Sequence, residues 1–158
     1  MTTSDNTSFY KTNNPRWLLF ALAICLVYFF ALGSLPLIGP DEPRYSQVAR
    51  EMFERGDWVT PTLGGYNWFE KPALLYWFQI AAYKVFGVSE FSARLGSALS
   101  GLLTVFSLFL FGRLKMFADI RFANWLALVA ASSLGLLVFS RGASFDIILT
   151  FPVTAALL

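Results

Sequence analysis

Two short charged clusters are the residues most able to do chemistry, and both lie in one segment, residues 39–90, between two long apolar stretches. Each cluster ends in a proline, and they are Asp41-Glu42-Pro43 and Glu70-Lys71-Pro72. Proline suits the first turn of a helix, so each cluster places charge at a helix N-terminus, where unpaired N–H groups and the helix dipole favour anions. Together with a lysine beside a bilayer, such helix ends could form a site for a lipid phosphate.

Two interpretations are open for each of these charges. A carboxylate at such a position either caps its helix or is held in its ionised form for use as a general base. Lys71 is either a surface charge or a cation that binds a phosphate. Asp146, close to Arg141 at the start of the last apolar run, is either a functional acid at membrane depth or half of an ion pair that stabilises a turn.

The composition indicates that membrane helices position these residues. The chain has 158 residues, of which 56% are hydrophobic and 14% are charged, whereas soluble domains are about 25% charged. A soluble domain of this size could not bury so much apolar surface in one core. The net charge is +2 without a run of Lys or Arg, which argues against nucleic acid as a partner. One cysteine and no histidine predict neither an internal disulfide nor a zinc site.

We therefore predict an all-α, multi-span fold. Three apolar runs, at 17–38, 91–112 and 122–140, are each long enough to cross the ~30 Å hydrocarbon core of a bilayer. The final run, 147–158, is shorter, so we expect it to be the start of a fourth, truncated span. A cleaved signal peptide is the alternative for 17–38, but the apolar run continues past the candidate cleavage site, which favours a retained anchor.

The second span has two notable features. Arg94 lies near its start, where a long side chain can reach the interface by snorkelling. Two overlapping pairs of small residues either permit close helix packing or reflect ordinary span composition, and they are Gly96, Ser97, Ser100 and Gly101.

Two juxtamembrane helices are predicted within the segment 39–90. Residues 43–55 carry an apolar stripe opposed by charged side chains, which is typical of a helix that lies on a surface. Residues 72–86 are apolar on nearly all sides, but a helix of that length covers only about 22 Å and is too short to cross a bilayer.

The distribution of cations predicts the orientation. Lys and Arg in the N-terminal tail, 1–16, and in the short loop 113–121 place both segments in the cytoplasm. Both placements hold only if the helix at 72–86 does not cross. The segment 39–90 and the short loop 141–146 are then periplasmic.

At these residues the sequence resembles the superfamily of aminoarabinose transferases and protein O-mannosyltransferases, which are GT-C-type membrane glycosyltransferases. The matching blocks have the order and spacing of that family's first periplasmic loop, and they are Asp41-Glu42-Pro43-Arg44-Tyr45, Ala49-Arg50-Glu51-Met52, Gly56-Asp57-Trp58-Val59-Thr60-Pro61 and Phe69-Glu70-Lys71-Pro72. The spans that follow are compatible with the family. The combination of blocks is specific, whereas the acidic pair alone is not.

The resemblance implies a reaction and a role for each matching residue. Family members transfer a sugar, with inversion, from undecaprenyl or dolichyl phosphate to an acceptor at the outer membrane face. The implied catalytic residues are Asp41, as base or acceptor-orienting acid, its neighbour Glu42, and Asp146. The implied substrate-binding residues are Lys71 beside the carrier phosphate, Glu70, Arg44, Tyr45 and Arg141.

The resemblance requires no metal, and it leaves a divalent metal at Glu70 open. We therefore predict a glycosyltransferase of the bacterial inner membrane that acts on lipid A, another glycan or a protein. The alternatives are a small structural membrane protein, an inactive gene fragment and a transporter. A transporter is disfavoured because polar residues lie outside the spans and not at the bilayer midplane. Family enzymes are several times longer, so residues 1–158 alone are expected to be inactive.

Overall fold

A computed structural model describes residues 15–116 and 120–158, apart from the side chains of 15–18 and 115–119. Most of the predicted cytoplasmic tail 1–16, and residues 117–119 of the predicted loop 113–121, lie outside this description. Within it the chain forms seven α-helices, which are α1 Pro15–Phe29, α2 Asp41–Arg55, α3 Leu74–Phe86, α4 Glu90–Phe111, α5 Ile120–Ser132, α6 Leu134–Ser140 and α7 Phe145–Leu157. A π-helical turn, Gly112–Met116, extends α4. The predicted all-α class is confirmed.

One small hairpin lies between α2 and α3. Its strands, β1 Thr62–Leu63 and β2 Tyr66–Asn67, are antiparallel, with Thr62 opposite Asn67 and Leu63 opposite Tyr66. The two residues between the strands are Gly64 and Gly65, and both have positive φ angles that glycine adopts without strain.

The helix α4 lies at the centre of the fold and packs against α1, α3, α5, α6 and α7. Among the described residues, its stretch Glu90–Leu114 is the single continuous helix that is long and apolar enough to cross a membrane. The apolar part of α1, Leu19–Phe29, and the whole of α7 are shorter apolar helices.

Small residues on α4 allow its neighbours to approach closely. A Cβ added at Gly96 would lie 2.7 Å from the Cβ of Phe78 on α3. A Cβ at Gly101 would overlap the side chain of Ser140 on α6 and lie 3.1 Å from the ring of Tyr28 on α1. The small residues of this helix therefore serve close packing.

The first apolar run behaves differently from the sequence-based expectation of one helix over 17–38. Helix α1 ends at Phe29, and the chain continues through irregular structure to Asp41. Pro36 disfavours helical geometry at the residue before it. The backbone carbonyls of Leu32, Leu35 and Pro36 instead accept hydrogen bonds from the distant Arg94.

The third apolar run, expected as one helix over 122–140, is two helices. The axes of α5 and α6 differ by 61° across a break at Ser133, whose backbone is extended. Serine and glycine are poor helix formers, and clusters of them are common places for helices to kink. The neighbouring hydroxyl of Ser132 donates to the carbonyl of Val129, which competes with regular helix geometry.

Both helices predicted within the segment 39–90 form, with shifted starts. Helix α2 begins at Asp41, two residues before the expected start, so the acidic pair forms its first turn. Its predicted apolar stripe packs against α3, α4 and α7 in the main core cluster, with four buried members, Tyr45, Val48, Ala49 and Met52, and a partly buried Phe53. Helix α3 starts at Leu74 instead of residue 72.

Replacing Gly101 by alanine should destabilise the protein, because the new methyl group overlaps Ser140 and forces α4 and α6 apart. Overpacking of this kind costs about 1–3 kcal/mol. The measurement is the thermal unfolding midpoint of the detergent-solubilised protein. The matched control is Gly135→Ala on α6, where the added Cβ meets nothing within 4 Å. Equal midpoints for the two variants would contradict the close approach at Gly101.

Candidate functional site

The first turn of α2 presents an acid, a guanidinium and a phenol in one place. Asp41 is exposed, and its Oδ1 lies 3.6 Å from Nη1 of Arg44. The Arg44 guanidinium carbon lies 5.6 Å from the centre of the Trp68 ring, within the range of a cation–π contact. Arg44 therefore links the start of α2 to the loop that leads into Glu70.

Tyr45 is the point where three segments meet. Its ring packs edge-on against Phe145 at the start of α7, with 4.7 Å between ring centres. Burial raises the pKa of the Tyr45 hydroxyl, and the charges of Asp41 and Glu70 raise it further. Both charged clusters predicted from the sequence therefore contribute to the raised pKa of one hydroxyl group.

Tyr76 on α3 lies in the same cluster, and the sequence did not single it out. Its ring packs edge-on against Phe145, at 5.5 Å between centres. Burial raises its pKa to about 12, with smaller contributions from Tyr45 and Glu70. Its buried hydroxyl has no hydrogen-bond partner among the described residues, which is uncommon for a buried polar group.

Arg94 is buried and does not snorkel. Its side chain is 4% exposed, and its guanidinium donates to the Glu42 carboxylate from Nε at 3.2 Å and from Nη2 at 2.8 Å. Nη1 donates to the carbonyls of Leu32 and Leu35 at 2.9 and 2.8 Å, and Nη2 also donates to the carbonyl of Pro36 at 2.8 Å. All five N–H groups of the guanidinium are therefore used.

The Glu42 carboxylate is equally occupied. Beyond its two bonds from Arg94, Oε2 accepts from the backbone N–H of Ile38 at 2.7 Å, and Oε1 accepts from that of Ala143 at 2.6 Å. Burial alone raises the Glu42 pKa, but the bonds from Arg94, Ile38 and Ala143 outweigh it and lower the pKa below its usual range. Glu42 is therefore held in its ionised form, and both of its oxygens accept hydrogen bonds from groups of the protein itself.

Asp146 lies in the first turn of α7 and is exposed. Its backbone N–H donates to Ser144 Oγ at 3.2 Å, and that hydroxyl donates to Asp146 Oδ2 at 3.3 Å. The backbone N–H of Ser144 donates to Ser97 on α4 at 3.2 Å. The start of α7 is therefore fastened to α4, while the Asp146 carboxylate faces outward.

Arg141 does not pair with Asp146 among the described residues. Its Nη1 donates to the carbonyl of Val27 and its Nη2 to that of Phe30, both at the end of α1. These are the carbonyls that a helix leaves unpaired at its C-terminus. The turn-stabilising ion pair considered from the sequence is therefore wrong, and Arg141 caps α1 instead.

The loop that carries Glu70 and Lys71 is fixed through Glu51 on α2. The Glu51 carboxylate accepts hydrogen bonds from Thr62 Oγ1 at 2.7 Å, from the Gly64 N–H at 2.8 Å and from the Gly65 N–H at 3.3 Å. It therefore anchors the whole turn of the hairpin to α2. Glu70 is exposed, and Lys71 forms no salt bridge within the described part of the chain.

The residues at hand offer little to a metal ion. In the described ranges, no three side chains of the types His, Cys, Asp and Glu stand close enough together to hold one.

Several known proteins are similar to this chain. A family model described as dolichyl-phosphate-mannose-protein mannosyltransferase matches residues 16–158. The undecaprenyl phosphate-alpha-4-amino-4-deoxy-L-arabinose arabinosyl transferase of Yersinia enterocolitica is 38% identical over 141 residues, which cover 88% of this chain and 25% of that protein. The protein of the same description from Serratia proteamaculans is 39% identical over 133 residues, which cover 84% and 23%.

A solved structure shares the same fold. ArnT from Cupriavidus metallidurans, bound to undecaprenyl phosphate, superposes with a TM-score of 0.83 at 34% identity, over 89% of this chain and 26% of that one. The chain thus spans about a quarter of the length of the relatives that it matches.

Neutralising Glu51 should loosen the hairpin in a pH-dependent way. Burial raises the Glu51 pKa, but hydrogen bonds from Thr62, Gln47, Gly64 and Gly65 outweigh it and lower the pKa to about 2. The pKa of Glu51 in the folded protein lies below its value of about 4.3 in the unfolded chain. The hydrogen bonds to the ionised carboxylate therefore stabilise the folded protein fully at pH values above about 4.3. This stabilisation is lost as the pH falls to about 2.

The measurement is the difference in thermal unfolding midpoint between the wild-type protein and Glu51→Gln. We expect a clear difference at pH 6 that shrinks steadily below about pH 4.3. The control is Glu54→Gln, on the same helix but paired with Arg50 at the exposed surface. A Glu51→Gln difference that does not change with pH would contradict the assignment.

Proposed function

This chain belongs to the dolichyl-phosphate-mannose-protein mannosyltransferase family, and on that premise we propose that it acts in the transfer of a sugar from a polyprenyl-phosphate donor to an acceptor of the cell envelope. The family resemblance stated from the four sequence blocks is confirmed. The two relatives compared above are described as transferases of 4-amino-4-deoxy-L-arabinose from undecaprenyl phosphate. We therefore propose undecaprenyl phosphate as the carrier.

The observation that carries the proposal is the meeting of the two charged clusters. The charges of Asp41 and Glu70 both raise the pKa of the Tyr45 hydroxyl, and we assign Lys71, the neighbour of Glu70, to the same site. Asp146 follows directly after Phe145, whose ring lies against Tyr45. We therefore group the exposed acids Asp41, Glu70 and Asp146 with Lys71 in one site near the first turn of α2.

The residues divide the reaction between them. As the bond between sugar C1 and the phosphate oxygen breaks, negative charge grows on the departing phosphate, and a nearby Lys71 stabilises that charge more in the transition state than before it. Asp41 accepts the proton of the acceptor hydroxyl. At the same time the acceptor oxygen forms the new bond to sugar C1, from the face opposite the departing phosphate. The anomeric configuration inverts.

Four other sequence candidates take different parts in this proposal. Arg44, held between Asp41 and Trp68, and Tyr45 orient the sugar beside Asp41. Glu42 has no free oxygen for proton transfer, so we assign it a holding role instead of a catalytic one. Arg141 is engaged with α1 and is not assigned to substrate.

The test of the mechanism is Asp41→Asn in the natural full-length protein, assayed with undecaprenyl-phosphate-linked 4-amino-4-deoxy-L-arabinose and lipid A as probes. We expect loss of at least about 100-fold in kcat, the usual scale for a general base, with unchanged membrane insertion. Lys71→Ala should raise the KM for the donor and lower kcat. The matched control, Glu54→Gln, makes the same chemical change on the exposed side of α2. Near-normal turnover by Asp41→Asn would remove Asp41 from the mechanism.

We further propose that this cluster faces the periplasm. The membrane character follows from the family and from α4, and the orientation rests on the cations of the short loop after α4. A labelling experiment with a membrane-impermeant maleimide in spheroplasts tests it, using single cysteines in a Cys25→Ser background.

The two labelling positions are both exposed: Val59 at 78%, in the loop between α2 and β1, and Leu114 at 69%, at the end of the long helix. We expect Val59→Cys to react in intact spheroplasts and Leu114→Cys only after permeabilisation. The reverse pattern would overturn the orientation.

A further inference from the structure

The buried pair of Arg94 and Glu42 takes no part in the chemical steps proposed above. Removing a guanidinium and a carboxylate from water is costly, and a buried ion pair often stabilises a fold no more than well-packed apolar residues would. Stability alone therefore explains this pair poorly. The pair is unusual because its hydrogen bonds reach several separate segments of the chain.

The pair connects the two places from which the exposed acids project. Glu42 directly follows Asp41 in the first turn of α2. Its Oε1 holds the backbone N–H of Ala143, which lies three residues before Asp146. One carboxylate therefore sets the separation between the segment that carries Asp41 and the segment that carries Asp146.

Arg94 fixes that carboxylate in turn. Its planar fork binds both Glu42 oxygens, and its remaining N–H groups bind the loop between α1 and α2. Because α4 packs against five other helices, Arg94 ties the starts of α2 and, through Glu42, of α7 to the central helix of the fold. Ser97, one turn further along α4, makes a second tie to Ser144.

We propose that Arg94 and Glu42 are positioning residues for sugar transfer, which hold Asp41 and Asp146 at a fixed separation without touching either substrate. This inference rests on the proposed function. Transfer needs the donor and the acceptor in near-attack geometry, and a shift of about 1 Å in supporting structure can cost about 100-fold in rate. Loosening the pair should therefore lower kcat much more than it changes donor or acceptor KM.

Gly142→Ala is the mildest test because it removes no polar group. The added Cβ would lie 3.1 Å from Glu42 Oε1, so the carboxylate must shift by a few tenths of an ångström. We expect kcat to fall about tenfold, with both KM values within about twofold, in the full-length natural protein with the same donor and lipid A probes. The matched control, Gly135→Ala, has open space around the new methyl group and should leave kcat unchanged.

Arg94→Lys is the stronger test. Lysine keeps the charge but cannot reproduce the planar fork that serves Glu42 and the loop carbonyls together. Hydrogen–deuterium exchange reports the link directly, since the amides of Ile38 and Ala143 are the ones that Glu42 holds. We expect exchange at both to quicken at least about tenfold, with unchanged exchange in the hairpin 62–67.

The possible results distinguish failure of the positioning role from failure of the proposed function. A normal kcat in Gly142→Ala, or exchange that quickens equally along the whole chain in Arg94→Lys, overturns the positioning role. If Arg94→Lys does not fold, Gly142→Ala decides alone. A wild-type protein that transfers no sugar from the probe refutes the proposed function, whereas the exchange at Ile38 and Ala143 still shows whether the pair holds the two segments.

Discussion

The rest of the structure depends on complete hydrogen bonding around one buried charge. Arg94 has five N–H groups and all five have acceptors, while each oxygen of Glu42 has two donors. A guanidinium left partly unpaired at this depth would be strongly destabilising. The irregular path of residues 30–40 follows from this need, because carbonyls inside a continuing helix would not be free to accept from Arg94.

The same hydrogen-bonding requirement gives the two neighbouring acids of α2 different surroundings. Neighbouring acids in one turn of α2 have opposite surroundings: Glu42 is enclosed and fully bonded, and Asp41 is exposed beside Arg44 and Tyr45. Enclosure gives Glu42 a fixed position, whereas the Asp41 carboxylate is open to solvent. Glu51 repeats the arrangement further along the helix, since it fixes the hairpin while Glu70 stays accessible.

Local patterns in the sequence predicted the helical class, the apolar stripe of α2 and the two charged clusters, because each depends on residues near one another in the chain. The end of α1 at Phe29 and the partner of Arg94 could not be predicted in this way. Both depend on contacts between residues 52 to 62 positions apart. Tyr76 was missed for a related reason, since an aromatic residue in an apolar helix carries no local sign that its hydroxyl lies near distant charges.

The reach of Glu42 along the chain has a consequence for biogenesis. Its partner Arg94 follows 52 positions later, but Ala143 follows 101 positions later. At about 5–20 residues per second of synthesis, several seconds separate the emergence of these two partners from the ribosome. During that interval the lone pair of Glu42 Oε1 that the Ala143 N–H later occupies is free to accept a hydrogen bond from water. The nascent loop therefore stays hydrated at this point until the segment before α7 arrives.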